Sequence, residues 1–287
     1  MNLLITGARG QLGREWVHYL QSQKHPYTAC DSAGLDITDL DQIRRMFARV
    51  KPDVVINCAA YTNVDGAEDH PAAAFSVNAK GPELLAAECA RNQIKLVHYS
   101  TDYVFEGGAK DAGRFSNGYP EEHHRAPINV YGRSKMEGEQ AIENSGADWM
   151  IVRVSWLCGR YGSNFIKTIR QLAAKKDELH VVNDQIGTPS FCHDVVEKTL
   201  QLVDRKKSGI FHISSAGAIS WHRFACKIVE QSGIVVPVRE VSSSHFPTVA
   251  QRPSFSVLNT DKIRGLGLKP IDWELGTEQV IHQLNTL

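Results

Sequence analysis

The stretch "NLLITGARGQLGREW" (residues 2–16) constrains the fold of this chain more than any other. An apolar run without alternation stops at Gly7, and Gly7, Gly10 and Gly13 follow with the spacing G-x-x-G-x-x-G. Leu12, Trp16, Val17 and Leu20 then recur at helical spacing. A run apolar on both sides predicts a strand buried on both faces, and such strands belong to parallel sheets covered by helices. The glycines allow a tight turn and close backbone approach to a phosphate, and the helix start offers free N–H groups and a positive dipole end. A plain turn would use the same glycines with no ligand at all.

The pattern repeats down the first half. "YTACD" (27–31) predicts a second strand ending on Asp31, and "DLDQIRRMFARV" (39–50) an amphipathic helix. "DVVINCAA" (53–60) predicts a third strand, 67–92 a long helical region, "KLVHYS" (95–100) a fourth strand and "MIVRVSW" (150–156) a fifth. Strand–helix alternation predicts an α/β fold: a Rossmann-type doubly wound parallel sheet. The second half is looser. Helices are expected at 162–176, 193–206, 220–232 and 273–285, and short strands at 180–183, 209–214 and 236–242. No linker or repeat separates them. The expected organisation is a dinucleotide-binding domain over 1–156 plus part of 180–215, interwoven with a smaller, discontinuous substrate-binding domain over 157–287.

Lys+Arg and Asp+Glu both total 32, which gives no global bias towards nucleic acid or an anionic membrane. No run approaches the length of a transmembrane helix, and "MNLLITGARG" has no basic n-region, so neither a membrane span nor a signal peptide is expected. The six cysteines form no C-x-x-C pair, which predicts reduced, packed thiols in a cytoplasmic protein.

Several residues are placed to do chemistry. Asp31 can bind the adenosine ribose hydroxyls of a dinucleotide, while Arg9 is the cation near a 2′-phosphate, so the two pull cofactor choice in opposite directions. NADPH is expected to be modestly preferred, with NADH also accepted, because Asp31 can turn to solvent. Asp36 either meets the adenine side with Ile37 or caps the following helix, a role open to Thr38 as well. Ala59 and Ala60 are small enough for a flat cofactor to lie on backbone. Ser100, Thr101 and Asp102 fall at a strand's carboxyl edge, where open α/β sheets bind ligands. "NVYGRSKMEGEQ" (129–140) sets Tyr131 and Lys135 one helical turn apart. An ammonium beside a phenol is expected to lower its pKa and make it a better proton donor near neutrality. Chance alone would often give such a pair, so its meaning comes from the nucleotide half before it.

"GARGQLG", "NCAAYTNVDGAE", "HYSTDYVF", "NVYGRSKMEGE", "VNDQIGTPS" and "RPSFSVLNT", in this order, resemble the dTDP-4-dehydrorhamnose reductases, extended short-chain dehydrogenase/reductases, over nearly the whole chain. The resemblance implies reduction of the C4 ketone of dTDP-4-dehydro-β-L-rhamnose by hydride from NAD(P)H. Tyr131 would donate the proton, and Lys135 would lower its pKa and hold the nicotinamide ribose. Thr101 would bind the reacting sugar with Asp102 beside it. Gly10, Gln11 and Leu12 would meet the pyrophosphate, and Asp36 and Ile37 the adenine. Ala60, Tyr61, Thr62 and Tyr99 would pack around the cofactor. Trp156 would wall the sugar site, and Arg252 would meet the substrate diphosphate.

Some relatives of this kind form metal-bridged dimers through glutamates. Here Glu15 is present, but His193 stands where a second carboxylate would be needed, and the adjacent His123 and His124 are expected to be solvated. Neither a metal nor a metal-bridged dimer is therefore expected, while a homodimer of another kind stays open. Two other readings share these motifs: a reductase or epimerase of another nucleotide-linked sugar, and a non-catalytic regulatory homologue of the methionine adenosyltransferase beta subunit type. The second would need neither Tyr131 nor Lys135.

Overall fold

A computed structural model describes residues 1–286. The first half builds β1 (Leu3–Thr6), α1 (Gln11–Ser22), β2 (Tyr27–Ala29), α2 (Leu40–Val50), β3 (Val54–Asn57), α3 (Val64–Asp69), α4 (Pro71–Phe75), α5 (Gly81–Asn92), β4 (Lys95–Thr101), α6 (Asp111–Arg114), α7 (Val130–Glu143) and β5 (Trp149–Val154). The second half adds β6 (Leu157–Cys158), α8 (Phe165–Ala173), β7 (Leu179–Val182), β8 (Ile186–Gly187), β9 (Ser190–Phe191), α9 (Cys192–Asp204) and β10 (Gly209–His212). It closes with β11 (Ile219–Ser220), α10 (Trp221–Gln231), β12 (Val238–Val241), α11 (Asp261–Gly265) and α12 (Trp273–Asn285).

Six strands form one parallel sheet in the order β10-β5-β4-β3-β1-β2. Alternate residues of the buried runs feed opposite cores. Leu3 and Ile5 of β1 join Ile56, Val97 and Val152 under α1 and α9, where Trp16 and Val196 meet them. Leu4, Val55, Leu96 and Ile151 join Phe47 of α2 and Leu85 of α5 on the other face. A third core gathers Ile166 of α8, Phe224 and Ile228 of α10 and Val280 of α12 over β7. Strand order reverses between β1 and β3. The crevice beyond the carboxyl ends of those strands is where such sheets bind ligands.

Three expectations need correction. The helical region expected over 67–92 is broken at Pro71, whose missing N–H ends α3, and residues Ser76–Lys80 form a π-turn before α5. The second strand stops at Ala29, because Asp31 turns its carboxylate onto the N–H groups of Ala33 and Gly34. The third stops at Asn57, whose side chain accepts from the Ala59 N–H. All six cysteines are free. No helix among the described residues is long and apolar enough to cross a membrane.

Candidate active site

The glycine turn is built by close approach. Gly7 sits at φ +64°, and a Cβ there would lie 2.5 Å from the Ala59 backbone nitrogen, so the loops after β1 and β3 touch through it. A Cβ at Gly13 would lie 2.3 Å from the Gly7 carbonyl. Gly10 starts α1 with no side-chain cap, and the first turn carries no acidic residue. Its leading N–H groups are therefore open to an anion.

Two cavities meet at this turn, sharing Gly10, Cys58 and Ala60. The outer one, about 400 Å³, gathers Gly7, Arg9, Asp31, Asp36, Ile37, Ala59 and Tyr61. Here Arg9 and Asp31 do not act separately: Arg9 Nε bonds Asp31 Oδ2 at 2.6 Å. Asp31 Oδ1 accepts from the backbone of Ala33 and Gly34, so the carboxylate is fixed rather than free to turn to solvent. Asp36 is not the helix cap, and neither is Thr38. Asp39 caps α2 through the N–H groups of Asp41 and Gln42, while Asp36 binds the Thr38 N–H and hydroxyl.

The inner cavity, about 480 Å³, gathers Gln11, Leu12, Thr62, Tyr99, Thr101, Asp102, Tyr131, Lys135 and Trp156. Glycines draw α7 onto it: a Cβ at Gly132 would lie 2.2 Å from the Tyr103 carbonyl, and one at Gly138 2.1 Å from the Asn78 carbonyl. The Asn129 side chain caps the helix on the Gly132 N–H. Asn78, in the π-turn, bonds both the Tyr61 backbone and the Ser134 hydroxyl, tying the cofactor-side loop to α7. Thr101 closes β4, donates to Asp102 Oδ1 at 2.9 Å and accepts from the Tyr103 N–H. Asp102 is buried with Oδ2 unpartnered among the described residues, and burial pushes its carboxyl up to about 7 against the pull of Ser256 and Thr101.

The Tyr131–Lys135 pair differs from expectation. Burial pushes the Tyr131 phenol up to about 12, with the Thr101 hydroxyl pulling it back and Asp102 pushing it further up. Lys135 Nζ is bonded to the Tyr99 carbonyl at 2.7 Å and to His98 Nε2 at 3.0 Å. Burial pulls this ammonium down to about 8, with Glu139 opposing. Glu139, one turn on, is held by both Arg153 and Arg125.

Trp156, at φ +44°, stacks on Trp221 with ring centroids 3.5 Å apart, and both line the inner cavity. Trp221, Tyr103, Ser155 and His98 escaped the sequence pattern, since "WHRFA" shows an aromatic residue but not where it packs. Arg252 is not brought into the cavity wall. Its Nη2 binds Asp65 at 2.5 Å, and it reaches the cavity only through Tyr103. Glu15 is buried against Arg160 at 3.2 Å. His124 is exposed as expected, whereas His123 is half-buried against Tyr119 and Phe115. Among the described residues no group of three His, Cys, Asp or Glu side chains is gathered to hold a metal ion. A further cavity of about 910 Å³, lined in part by Thr188, Ser215 and Arg264, shares no residue with the two described.

A family model described as the RmlD substrate binding domain matches residues 1–286. A dTDP-4-dehydrorhamnose reductase of Mycolicibacterium smegmatis is 41% identical over 97% of this chain and 84% of its own length. A dTDP-4-keto-6-deoxy-D-glucose reductase of Streptomyces niveus is 39% identical over 98% of this chain and 97% of its own. The crystal structure of a dTDP-4-dehydrorhamnose reductase from Bacillus anthracis in complex with NADP superposes with a TM-score of 0.93 at 37% identity, covering 98% of this chain and 99% of that one. With its parallel sheet, glycine turn and Thr101–Tyr131–Lys135 cleft, the chain belongs to the RmlD family, that of the dTDP-4-dehydrorhamnose reductases.

Proposed function

We propose that this chain reduces the C4 ketone of dTDP-4-dehydro-β-L-rhamnose to dTDP-L-rhamnose, with NADPH as the preferred reductant. The observation that carries this is the meeting of Thr101, Asp102, Tyr131 and Lys135 at one end of a cleft whose other end is the glycine turn. The residues present fit the cofactor. The open N–H groups at the start of α1 suit a pyrophosphate, and the exposed Arg9 guanidinium suits a 2′-phosphate. Ala59 and Ala60 leave flat backbone beside Asp36 and Ile37 for the adenosine half. When bound, NADPH supplies the hydride.

The protein's own share is position and a proton. A phenol pushed up to about 12 stays protonated across the neutral range, so Tyr131 holds a proton to give the ketone oxygen as negative charge builds there. The Thr101 hydroxyl lies beside it, and to hold the same oxygen it must turn its single proton from Asp102 Oδ1 to the ketone. Lys135, its Nζ held by the Tyr99 carbonyl and His98, lines the same end of the cleft, and Trp156 with Trp221 walls the sugar side.

The test is oxidation of NADPH and NADH by the purified protein against dTDP-, UDP- and GDP-linked 4-keto-6-deoxy sugars. Fastest turnover is expected with dTDP-4-dehydro-β-L-rhamnose. Preference for another base or sugar would move the substrate assignment, and no turnover with any ketosugar would sink the enzymatic reading.

A further inference from the structure

Gln11 opens α1, so its backbone N–H is one of the leading groups that the helix leaves open to an anion. Its side chain is spent on the second half of the chain. Nε2 lies 2.9 Å from the Leu157 carbonyl, and Oε1 lies 2.7 Å from Asn164 Nδ2. Neither amide has a choice of orientation. The Leu157 carbonyl can only accept, so the atom facing it is the Gln11 amide nitrogen, and the Gln11 oxygen is left for Asn164. At the far end the Lys167 N–H can only donate, so the Asn164 oxygen faces it at 3.2 Å and caps α8. The Asn164 amide nitrogen is left to donate to Gln11 Oε1 and to the Gly159 carbonyl, both at 2.7 Å. A directed chain of hydrogen bonds thus runs from the first turn of α8 through Asn164 and Gln11 to β6. Gly162, at φ +64°, lets the loop come this close, since a Cβ there would press on Gln11 Cβ at 3.0 Å.

We infer that Gln11 is a positioning residue that ties cofactor occupancy at the glycine turn to the wall of the sugar site. The inference rests on the cofactor reading given above. The segment that Gln11 holds is part of that wall: Trp156, Leu157 and Ser163 line the inner cavity together with Gln11 itself. An anion on the leading N–H groups pins the backbone of Gln11. A pinned backbone narrows the positions from which its amide can reach Leu157 and Asn164, so both bonds become firmer. By linkage, an ordered loop favours the bound cofactor to the same extent. Other contacts join the loop to α1. Arg160 bonds Glu15 at 3.2 Å and His18 at 3.1 Å, and Arg14 lies over the Tyr161 ring. All three helix residues lie beyond the open N–H groups, since the Arg14 N–H is already bonded to the Gly10 carbonyl. They hold the loop whether or not the turn is occupied. Gln11, alone of this set, carries both an open N–H and a bond to the loop.

The experiment uses full-length protein and reads amide hydrogen exchange over 157–168, with NADPH as the probe. The reporter is the Lys167 amide, at the far end of the chain of bonds. In the wild type NADPH should slow its exchange roughly two- to tenfold, the worth of one net hydrogen bond. Gln11→Met keeps the backbone N–H and the length of the side chain but makes neither bond, and NADPH should no longer slow the Lys167 amide. Arg160→Lys should speed exchange across the loop with and without NADPH and keep the slowing that NADPH brings. Failure of NADPH to bind the wild type, read by its fluorescence, would remove the cofactor reading and the inference with it. NADPH that binds but leaves Lys167 exchange unchanged in the wild type, or slows it equally in Gln11→Met, would overturn the inference and leave the cofactor reading standing. Faster exchange on addition of NADPH would also overturn it, since Gln11 would then have left the loop for the pyrophosphate. Should Gln11→Met fail to fold, Asn164→Asp takes its place, because it keeps the cap on Lys167 and loses the donor to Gln11.

Discussion

Replacing Asp31 with asparagine should sharpen the preference for NADPH over NADH. Arg9 Nε lies 2.6 Å from Asp31 Oδ2, with the arginine side chain 86% exposed and the aspartate 20%. A pair with one partner so exposed is worth about 0–1 kcal/mol, because water screens it. That is the free energy Arg9 must give up to turn to a 2′-phosphate. Asp31→Asn removes it, so kcat/KM for NADPH should rise by up to about fivefold, the equivalent of about 1 kcal/mol. NADH should move the other way. Its ribose hydroxyl would trade a charged acceptor for a neutral one, a loss of about 0.5–1.5 kcal/mol, or roughly two- to tenfold. The turn itself should survive, since the amide oxygen of the replacement side chain can still accept from Ala33 and Gly34. Steady-state kinetics with both cofactors give the ratio, and repetition near 1 M salt should shrink the NADPH gain as the Debye length falls to about 3 Å. An unchanged ratio, or one moving towards NADH, would refute the reasoning and leave Arg9 serving the shared pyrophosphate.

Tyr131→Phe should lower kcat by roughly 10²–10⁴ while leaving NADPH affinity and the fold intact, because the ring keeps its edge contact with Tyr103 at 5.7 Å. Turnover near wild type would remove Tyr131 from the mechanism. Asp102→Asn should raise stability in a pH-dependent way. Folding pushes this carboxyl up from the ordinary range near 3.9 to about 7, so its protonated form is favoured in the native state. The stabilisation is full below about pH 4 and lost as pH rises through 7. The variant should therefore gain on the wild type between pH 5 and pH 8, by roughly 5 °C in Tm at the upper end. A Tm difference that does not change with pH would show that Asp102 is solvated in the folded protein.

What the sequence determined by itself is what neighbours along the chain determine. The apolar run ending at Gly7, the three glycines and the helical spacing of Leu12, Trp16 and Leu20 specify a strand, a turn and a helix within a few residues of each other. β1 and α1 accordingly form where the pattern predicts. The one-turn spacing of Tyr131 and Lys135 is likewise a property of a single helix. The long helix expected over 67–92 failed because its apolar pattern hid Pro71 and the π-turn behind it. Tertiary structure decided whom each side chain meets. Arg9 and Asp31 look like rivals in the sequence and become partners because the turns after β1 and β2 lie side by side in the sheet. Lys135 meets His98, and His98 meets Asn57, because β3 and β4 are paired in register Asn57 to His98. Trp221 covers Trp156, and Asp65 captures Arg252, across long stretches of chain. Local pattern sets backbone form through φ/ψ preference and periodic burial, whereas a hydrogen bond or stacked ring depends on where two distant segments are packed.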